Sequence, residues 1–270
     1  LDWDEGPDPT DLASGARGRA LGPHAPYWQS ERGALYERAL ADLAARGHLF
    51  PCHRSRKDLR ALATAPHGSG GLPPYPRRWR PADLEPGWFG ALGERPDCAL
   101  RFRVDGAPVS FTDRVVGPVA EDVTEAVGDI VLKRRDGVYA YQLAVVVDDL
   151  AMGVTEVVRG MDLLHSTARQ ILLVRALGGR VPTYAHVPLL VGASGEKLSK
   201  RDGAVTIREI RDAGALPEAL LGWLAWALGQ TPEPRPLAPE AIAKAWQWAA
   251  VRPDPVEVPR DLDRTLARLS

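Results

Sequence analysis

Apolar positions recur at helical spacing over residues 31–46, where Leu35, Ala39, Leu40 and Leu43 share a face and Gly47 follows as a stop. One amphipathic helix is expected there. Leu100, Phe102 and Val104 alternate instead with Arg101 and Arg103, the period-two pattern of a half-buried strand. Runs 129–134 and 138–141 flank Arg135-Asp136-Gly137, whose Asp-Gly pair supplies turn chemistry for a hairpin. Next comes a strand at 155–159, then a helix over 166–177 capped by Ser166 or Thr167 and stopped by Gly178-Gly179, then an apolar strand at 187–191. That order is a βαβ unit, which implies a right-handed crossover in a mainly parallel sheet.

Between 66 and 96 the chain carries seven prolines and six glycines, too many for a helix interior or a central strand, so an ordered but irregular insertion is expected. Beyond the loop 192–203 the pattern turns helical: Thr206 and Glu209 form a capping box, Pro217 stands at a helix start and Gly229 at its end. The rest, with Trp223, Trp226, Trp246 and Trp248, reads as all-helical, and no internal repeat is evident.

Composition narrows the class. Of the 270 residues 45% are hydrophobic and 26% charged, as in ordinary globular domains, which excludes disordered and fibrous classes. No apolar run approaches the roughly 20 residues needed to cross a bilayer, and the acidic start Leu1-Asp2-Trp3-Asp4-Glu5 is unlike a signal peptide. Lysine and arginine number 34 against 35 aspartate and glutamate, so a nucleic-acid partner must be held by local basic patches. Two cysteines, Cys52 and Cys98, make no disulfide framework and point to a reducing, cytoplasmic compartment.

The densest candidate chemistry is Gly195-Glu196-Lys197-Leu198-Ser199-Lys200-Arg201-Asp202-Gly203. A glycine-flanked loop with two ammonium groups suits charge developing on a triphosphate under attack by an acid. A solvated basic turn is the competing account. The neighbouring text decides between them. Lys197-Leu198-Ser199-Lys200-Arg201 resembles the second signature loop of class I aminoacyl-tRNA synthetases. The stretches Tyr139 to Asp149, Gly153 to Leu164 and Ser166 to Gln170 resemble the glutamyl branch of that class. Gly160-Met161-Asp162-Leu163-Leu164 and Asp113-Arg114-Val115 are similar to its glutamyl-Q tRNA(Asp) synthetases, which charge glutamate onto the queuosine base of a tRNA anticodon. The similarity runs from Leu1 to Lys200 and more weakly beyond.

The resemblance implies an α/β fold: a Rossmann-type parallel sheet over 1–50 and 129–191, an inserted α+β nucleic-acid-binding subdomain over 51–128, and the signature loop with a helical stem-contact-like region over 192–270. It implies a ligase that activates glutamate with ATP and Mg and passes it to tRNA(Asp) without membrane involvement. Residue by residue, it gives Tyr141 and Arg159 a glutamate-binding role, Lys200 and Asp162 an ATP-binding role, and Lys197 and Lys200 the catalytic charges. Physical chemistry is compatible: a guanidinium forks a carboxylate, and a tyrosine hydroxyl adds a directional contact. The bland alternatives are an ion pair of Arg159 with Glu156 or Asp162, core packing for Tyr141, and helix capping by Asp162.

Two departures from the family pattern stand out. Its first signature, a His-x-Gly-His-like turn that packs ATP phosphates, precedes the segment matched by Leu1, as does the stretch bearing a substrate-gripping arginine and glutamate. The expectation is that this chain holds part of the nucleotide site, either because the sequence continues upstream or because the protein is a remnant. Many relatives also bind zinc through Cys-x-Cys, a Tyr and a third Cys. Here Pro51-Cys52-His53-Arg54 and Tyr75-Pro76-Arg77-Arg78-Trp79 retain only Cys52 and Tyr75, so no zinc is expected, with His53 and His67 as stray ligands. Basic clusters at 54–57, 77–80 and 133–135 could follow an RNA backbone, with Trp79 stacked on a base, or be solvated loop charge. The readings that remain are glutamyl transfer to queuosine, the core of an ordinary glutamyl-tRNA synthetase, and a non-catalytic tRNA-binding remnant.

Overall fold

The computed structural model describes residues 3–7, 20–62, 73–93, 97–106, 108–196, 198 and 206–270. The strands are β1 (Gly6–Pro7), β2 (Ala20–Leu21), β3 (Leu49–Cys52), β4 (Ala99–Phe102), β5 (Val109–Asp113), β6 (Gly117–Glu121), β7 (Ile130–Lys133), β8 (Glu156–Gly160), β9 (Thr183–Val187), β10 (Leu190–Val191) and β11 (Val256–Glu257). The helices are α1 (Gly33–Ala45), α2 (Arg56–Ala61), α3 (Trp88–Ala91), α4 (Val123–Ala126), α5 (Tyr141–Ala151), α6 (Leu164–Ala176), α7 (Ile207–Asp212), α8 (Pro217–Ala227), α9 (Pro239–Ala245) and α10 (Leu262–Leu269). The chain divides into two compact units, one of Leu1–Ser110, Ala120–Thr155 and Ser166–Pro182, the other of Phe111–Val119, Glu156–His165 and Thr183–Ser270.

In the first unit α1 buries Leu40 and Leu43 as expected, leaves Leu35 and Ala39 half-buried and adds Tyr36 to the buried face, and Gly47 takes a φ of 75° just beyond it. Strands β3, β4 and β7 form an antiparallel sheet in that order. Pro51 is tolerated because β3 lies at the sheet edge, where a missing N–H costs no ladder bond. The half-buried strand expected at 100–104 is covered on both faces: Arg101 is buried, its guanidinium 4.1 Å from the Tyr75 ring centroid and its Nη1 donating to Asp129 O at 2.7 Å. The irregular insertion packs Phe50, Cys52, Leu59 and Tyr75 together, with Trp79 and Leu84 against them. Gly128, at φ 70°, lets the Tyr75 backbone approach, since a β-carbon there would stand 2.5 Å from Tyr75 O.

The expected hairpin closes only in part. Gly137 supplies the turn at φ 84° and Lys133 bridges Tyr139, but Tyr141 opens α5 rather than ending a strand. The reason lies in Leu143, Ala144, Val146 and Val147, whose three- and four-residue spacing buries one helical face and overrides the alternation before it.

A four-stranded sheet has the order β6-β5-β9-β8, with β9 parallel to both β5 and β8. The chain passes from β8 to β9 through α6, which makes the expected βαβ order. Two local expectations fail. A 3₁₀ turn at Met161–Leu163 leads straight into α6, so Ser166 and Thr167 lie inside the helix and not at its N-cap. The strand expected at 187–191 is split, because Pro188 has no N–H for the ladder: β9 ends at Val187 and β10 resumes at Leu190.

The capping box of Thr206 with Glu209 and the proline start of α8 form as expected. The region is not all-helical, however. Strand β11 lies between prolines at 255 and 259 and pairs in parallel with β10, Val256 N and Val258 N donating to Leu189 O and Val191 O at 2.9 Å each. Trp223, Leu262 and Leu266 centre its core.

Candidate active site

Arg159 extends from β8 in the second unit. Its Nε–H donates to His186 Nε2 at 3.1 Å and its Nη2 to Leu163 O at 3.4 Å, while the guanidinium lies 5.5 Å from the Tyr184 ring centroid. Glu156, one of the ion-pair partners considered for Arg159, pairs with Arg114 instead at 2.7 Å. Asp162 sits on the 3₁₀ turn, its Oδ1 2.7 Å from where a β-carbon on Gly160 would stand. Glycine is thus the residue that lets this carboxylate fold back over the strand end.

Beneath Arg159, His186 is fully buried on β9. Its Nδ1 lies 2.6 Å from Asp113 Oδ2, and Asp113 also accepts from the N–H groups of Val115, Val116 and His186 at 2.9, 3.1 and 3.2 Å. Burial opposes ionisation of Asp113, but the hydrogen bonds from the His186 ring and the backbone outweigh it and hold its carboxyl below the ordinary value. For His186 burial is the largest influence and lowers the pKa, against the upward pull of Asp113. His186 is therefore a neutral imidazole at pH 7.

Tyr141 is the first residue of α5 in the first unit and is 48% exposed, so the core-packing alternative does not hold. Next to it Gln142 Nε2 donates to Ser166 Oγ at 3.1 Å, and Gln142 Oε1 accepts from Gln170 Nε2 at 3.0 Å. Lys197 and Lys200 lie outside the described residues, as does His67. Sequence reasoning missed His186: one histidine in the strand Tyr184-Ala185-His186-Val187 carries no local signal, and its partner Asp113 is 73 residues away. The available hint was its place on the same strand face as Tyr184.

The degenerate zinc positions do come together. Cys52 Sγ lies 3.3 Å from the Tyr75 hydroxyl, which donates to Trp79 O at 3.2 Å, and the Arg54 guanidinium covers the Trp79 ring at 5.1 Å. Residues 52, 54, 75 and 79 thus interlock through a thiol–phenol contact and a cation–π contact. A guanidinium and an indole offer no lone pair, so this set does not fit a tetrahedral zinc ion. His53 Nδ1 is engaged with Asp97 O at 3.1 Å.

Two of the basic clusters are less open to RNA than the sequence suggests. Arg80 is locked in a bidentate pair with the buried Asp129, 2.7 Å from Nε and 2.6 Å from Nη2, and Lys133 is buried against Glu37. Arg77, Arg78 and Lys57 remain exposed.

Residues 12–236 match the family model of the class I tRNA synthetases (E and Q), catalytic domain. The chain belongs to that family. It is 48% identical to the glutamyl-Q tRNA(Asp) synthetase of Symbiobacterium thermophilum over 100% of its own length and 79% of the relative's. To the enzyme of that name from Nitratidesulfovibrio vulgaris it is 43% identical, over 98% of the chain and 78% of the relative. The glutamate–tRNA ligase of Nitrosospira multiformis shares 41% identity over 76% of the chain and 43% of that protein. A solved glutamate tRNA ligase from Elizabethkingia meningosepticum, crystallised with its amino acid, superposes with a TM-score of 0.74 at 24% identity. The match covers 91% of this chain and 54% of that one, which establishes the shared Rossmann-type class I fold. The chemistry of the family is of the ligase type. Among the described residues no helix is long and apolar enough to cross a membrane, and no group of three or more His, Cys, Asp or Glu side chains could hold a metal ion.

Proposed function

We propose that this synthetase activates glutamate with ATP, as the magnesium complex, and transfers it to the queuosine base of the tRNA(Asp) anticodon. The observation that carries this reading is the 43–48% identity to proteins named glutamyl-Q tRNA(Asp) synthetase, extending over nearly the whole chain. In it Arg159 forks a substrate carboxylate, Tyr141 adds a hydroxyl contact, Asp162 meets the ribose, and Lys197 and Lys200 neutralise charge on the triphosphate. The glutamate carboxylate attacks the α-phosphorus in line, and the bond to the bridging oxygen of pyrophosphate breaks. Positioning and charge neutralisation suffice, because no covalent enzyme intermediate is needed. The family's insertion role gives residues 51–128, with exposed Arg77 and Arg78, the task of meeting the anticodon arm.

The reading is tested by incubating the full-length protein with labelled glutamate, ATP and either queuosine-containing tRNA(Asp) or tRNA(Glu), then locating the label by ribonuclease digestion. Label on an anticodon fragment of tRNA(Asp) is the expected result. Label on the 3′-terminal adenosine of tRNA(Glu) would instead make the protein an ordinary glutamyl-tRNA synthetase, a reading favoured by its 41% identity to such a ligase. No transfer to either tRNA would leave the tRNA-binding remnant.

A further inference from the structure

The three side chains Asp113, His186 and Arg159 form a chain whose hydrogens can be assigned from chemistry alone. Arginine Nε can only donate, so His186 Nε2, 3.1 Å away, must accept and carry no proton. An ionised carboxylate can only accept, so His186 Nδ1, 2.6 Å from Asp113 Oδ2, must carry the proton. Both neighbours therefore demand the same neutral tautomer. Asp113 is itself held by the N–H groups of Val115, Val116 and His186, which leaves the imidazole little freedom to turn. Other charges around the ring are Arg159 on β8 and Asp162 on the 3₁₀ turn.

The guanidinium meets the imidazole at Nε, the Leu163 carbonyl at Nη2 and the Tyr184 ring from one face. These contacts fix its plane, which a bidentate carboxylate fork requires. A carboxylate in place of His186 would fix the plane too, but it would set an acidic oxygen on the cation and weaken its hold on an anionic substrate. A neutral ring supplies the geometry without that compensation.

We propose that His186 and Asp113 are positioning residues of the amino-acid site: His186 orients the Arg159 guanidinium toward a carboxylate of the substrate, and Asp113 selects the imidazole tautomer that lets it do so. The inference rests on the reading of Arg159 as a glutamate-binding residue. Sequence position did not assign either role, and nothing in the chemistry of the step routes a proton through the pair.

The test compares glutamate-dependent ATP–pyrophosphate exchange by the full-length wild-type protein with Arg159→Ala, His186→Leu, His186→Gln and Asp113→Asn. Expected are a rise of roughly ten- to a hundredfold in the KM for glutamate for His186→Leu and Asp113→Asn, with the KM for ATP unchanged and kcat little altered. His186→Gln, whose amide oxygen can accept from Arg159 Nε, should recover part of the loss. If Arg159→Ala raises the KM for glutamate while His186→Leu and Asp113→Asn, folded by their melting curves, stay within about twofold of wild type, the positioning role is wrong and the binding reading stands. If Arg159→Ala itself leaves that KM unchanged, the binding reading fails and the inference goes with it. Nitrogen NMR of the wild-type His186 ring needs no variant to fold: a proton on Nδ1 with Nε2 bare at neutral pH is expected, and an Nε2–H tautomer or an imidazolium overturns the proposal.

Discussion

Truncating Arg80 to alanine separates structural from nucleic-acid roles within one arginine run. Arg80 has a side chain 11% exposed and reaches Asp129, 1% exposed, through two hydrogen bonds of 2.6 and 2.7 Å. It also reaches Asp105 Oδ1 at 2.7 Å and Val104 O at 2.8 Å. Arg80→Ala leaves the Asp129 carboxylate buried with the Val104 N–H, at 2.8 Å, as its described donor. Removing one partner of a buried ion pair costs about 3–5 kcal/mol, because the survivor loses its counter-charge without regaining water. Such a loss lowers the melting temperature by roughly 6–20 °C for a chain of this size. Asp129→Asn in the Arg80→Ala background should restore part of it, since an orphaned amide costs less than an orphaned charge. Arg78→Ala, two residues earlier and exposed, should stay within about 0.5 kcal/mol of wild type but reduce the salt slope of tRNA binding by about 1. Scanning calorimetry and a salt series of tRNA affinity read the two effects. Melting of Arg80→Ala within about 1 °C of wild type would refute the buried-pair argument, as would an equal destabilisation by Arg78→Ala.

Two further outcomes are expected. The purified protein should carry no stoichiometric zinc and chelators should leave its melting temperature unchanged, since Arg54 and Trp79 complete the Cys52–Tyr75 cluster without a metal; about one zinc per chain by elemental analysis would contradict this. Acid should destabilise the fold through His186 before Asp113. Both folded-state pKa values are lowered, so the stability they contribute is present above their unfolded values, 6.5 and 3.8, and is lost as the pH falls, because the unfolded chain binds the proton first. The His186 contribution declines below pH 6.5 with a slope of at most about 1.4 kcal/mol per pH unit. Melting curves from neutral to acid pH check this, and a His186→Gln variant that keeps the wild-type slope just below pH 6.5 would count against it.

Much of what depends on neighbours within a few residues was legible in the sequence, though the start of α6 and the break at Pro188 were not. The buried face of α1 follows from a 3.6-residue period, the capping box of α7 from Thr206 and Glu209, and the stops at Gly47 and Gly229 from positive φ. The resemblance, carried by continuous stretches of text, located Arg159 and Tyr141 as candidates. What the tertiary structure decided joins distant positions. Arg101 is buried rather than solvated because Tyr75 and Asp129 cover it, and β11 is a strand because β10 offers it a ladder. Arg80 belongs to Asp129, 49 residues on, and not to the open basic cluster its neighbours form. Arg54 and Trp79, which read as lost ligands, lie on each other as a packed pair. His186 carried no local chemical signal, since a histidine acquires its tautomer, its charge and its purpose only from the groups folding brings to its two nitrogens.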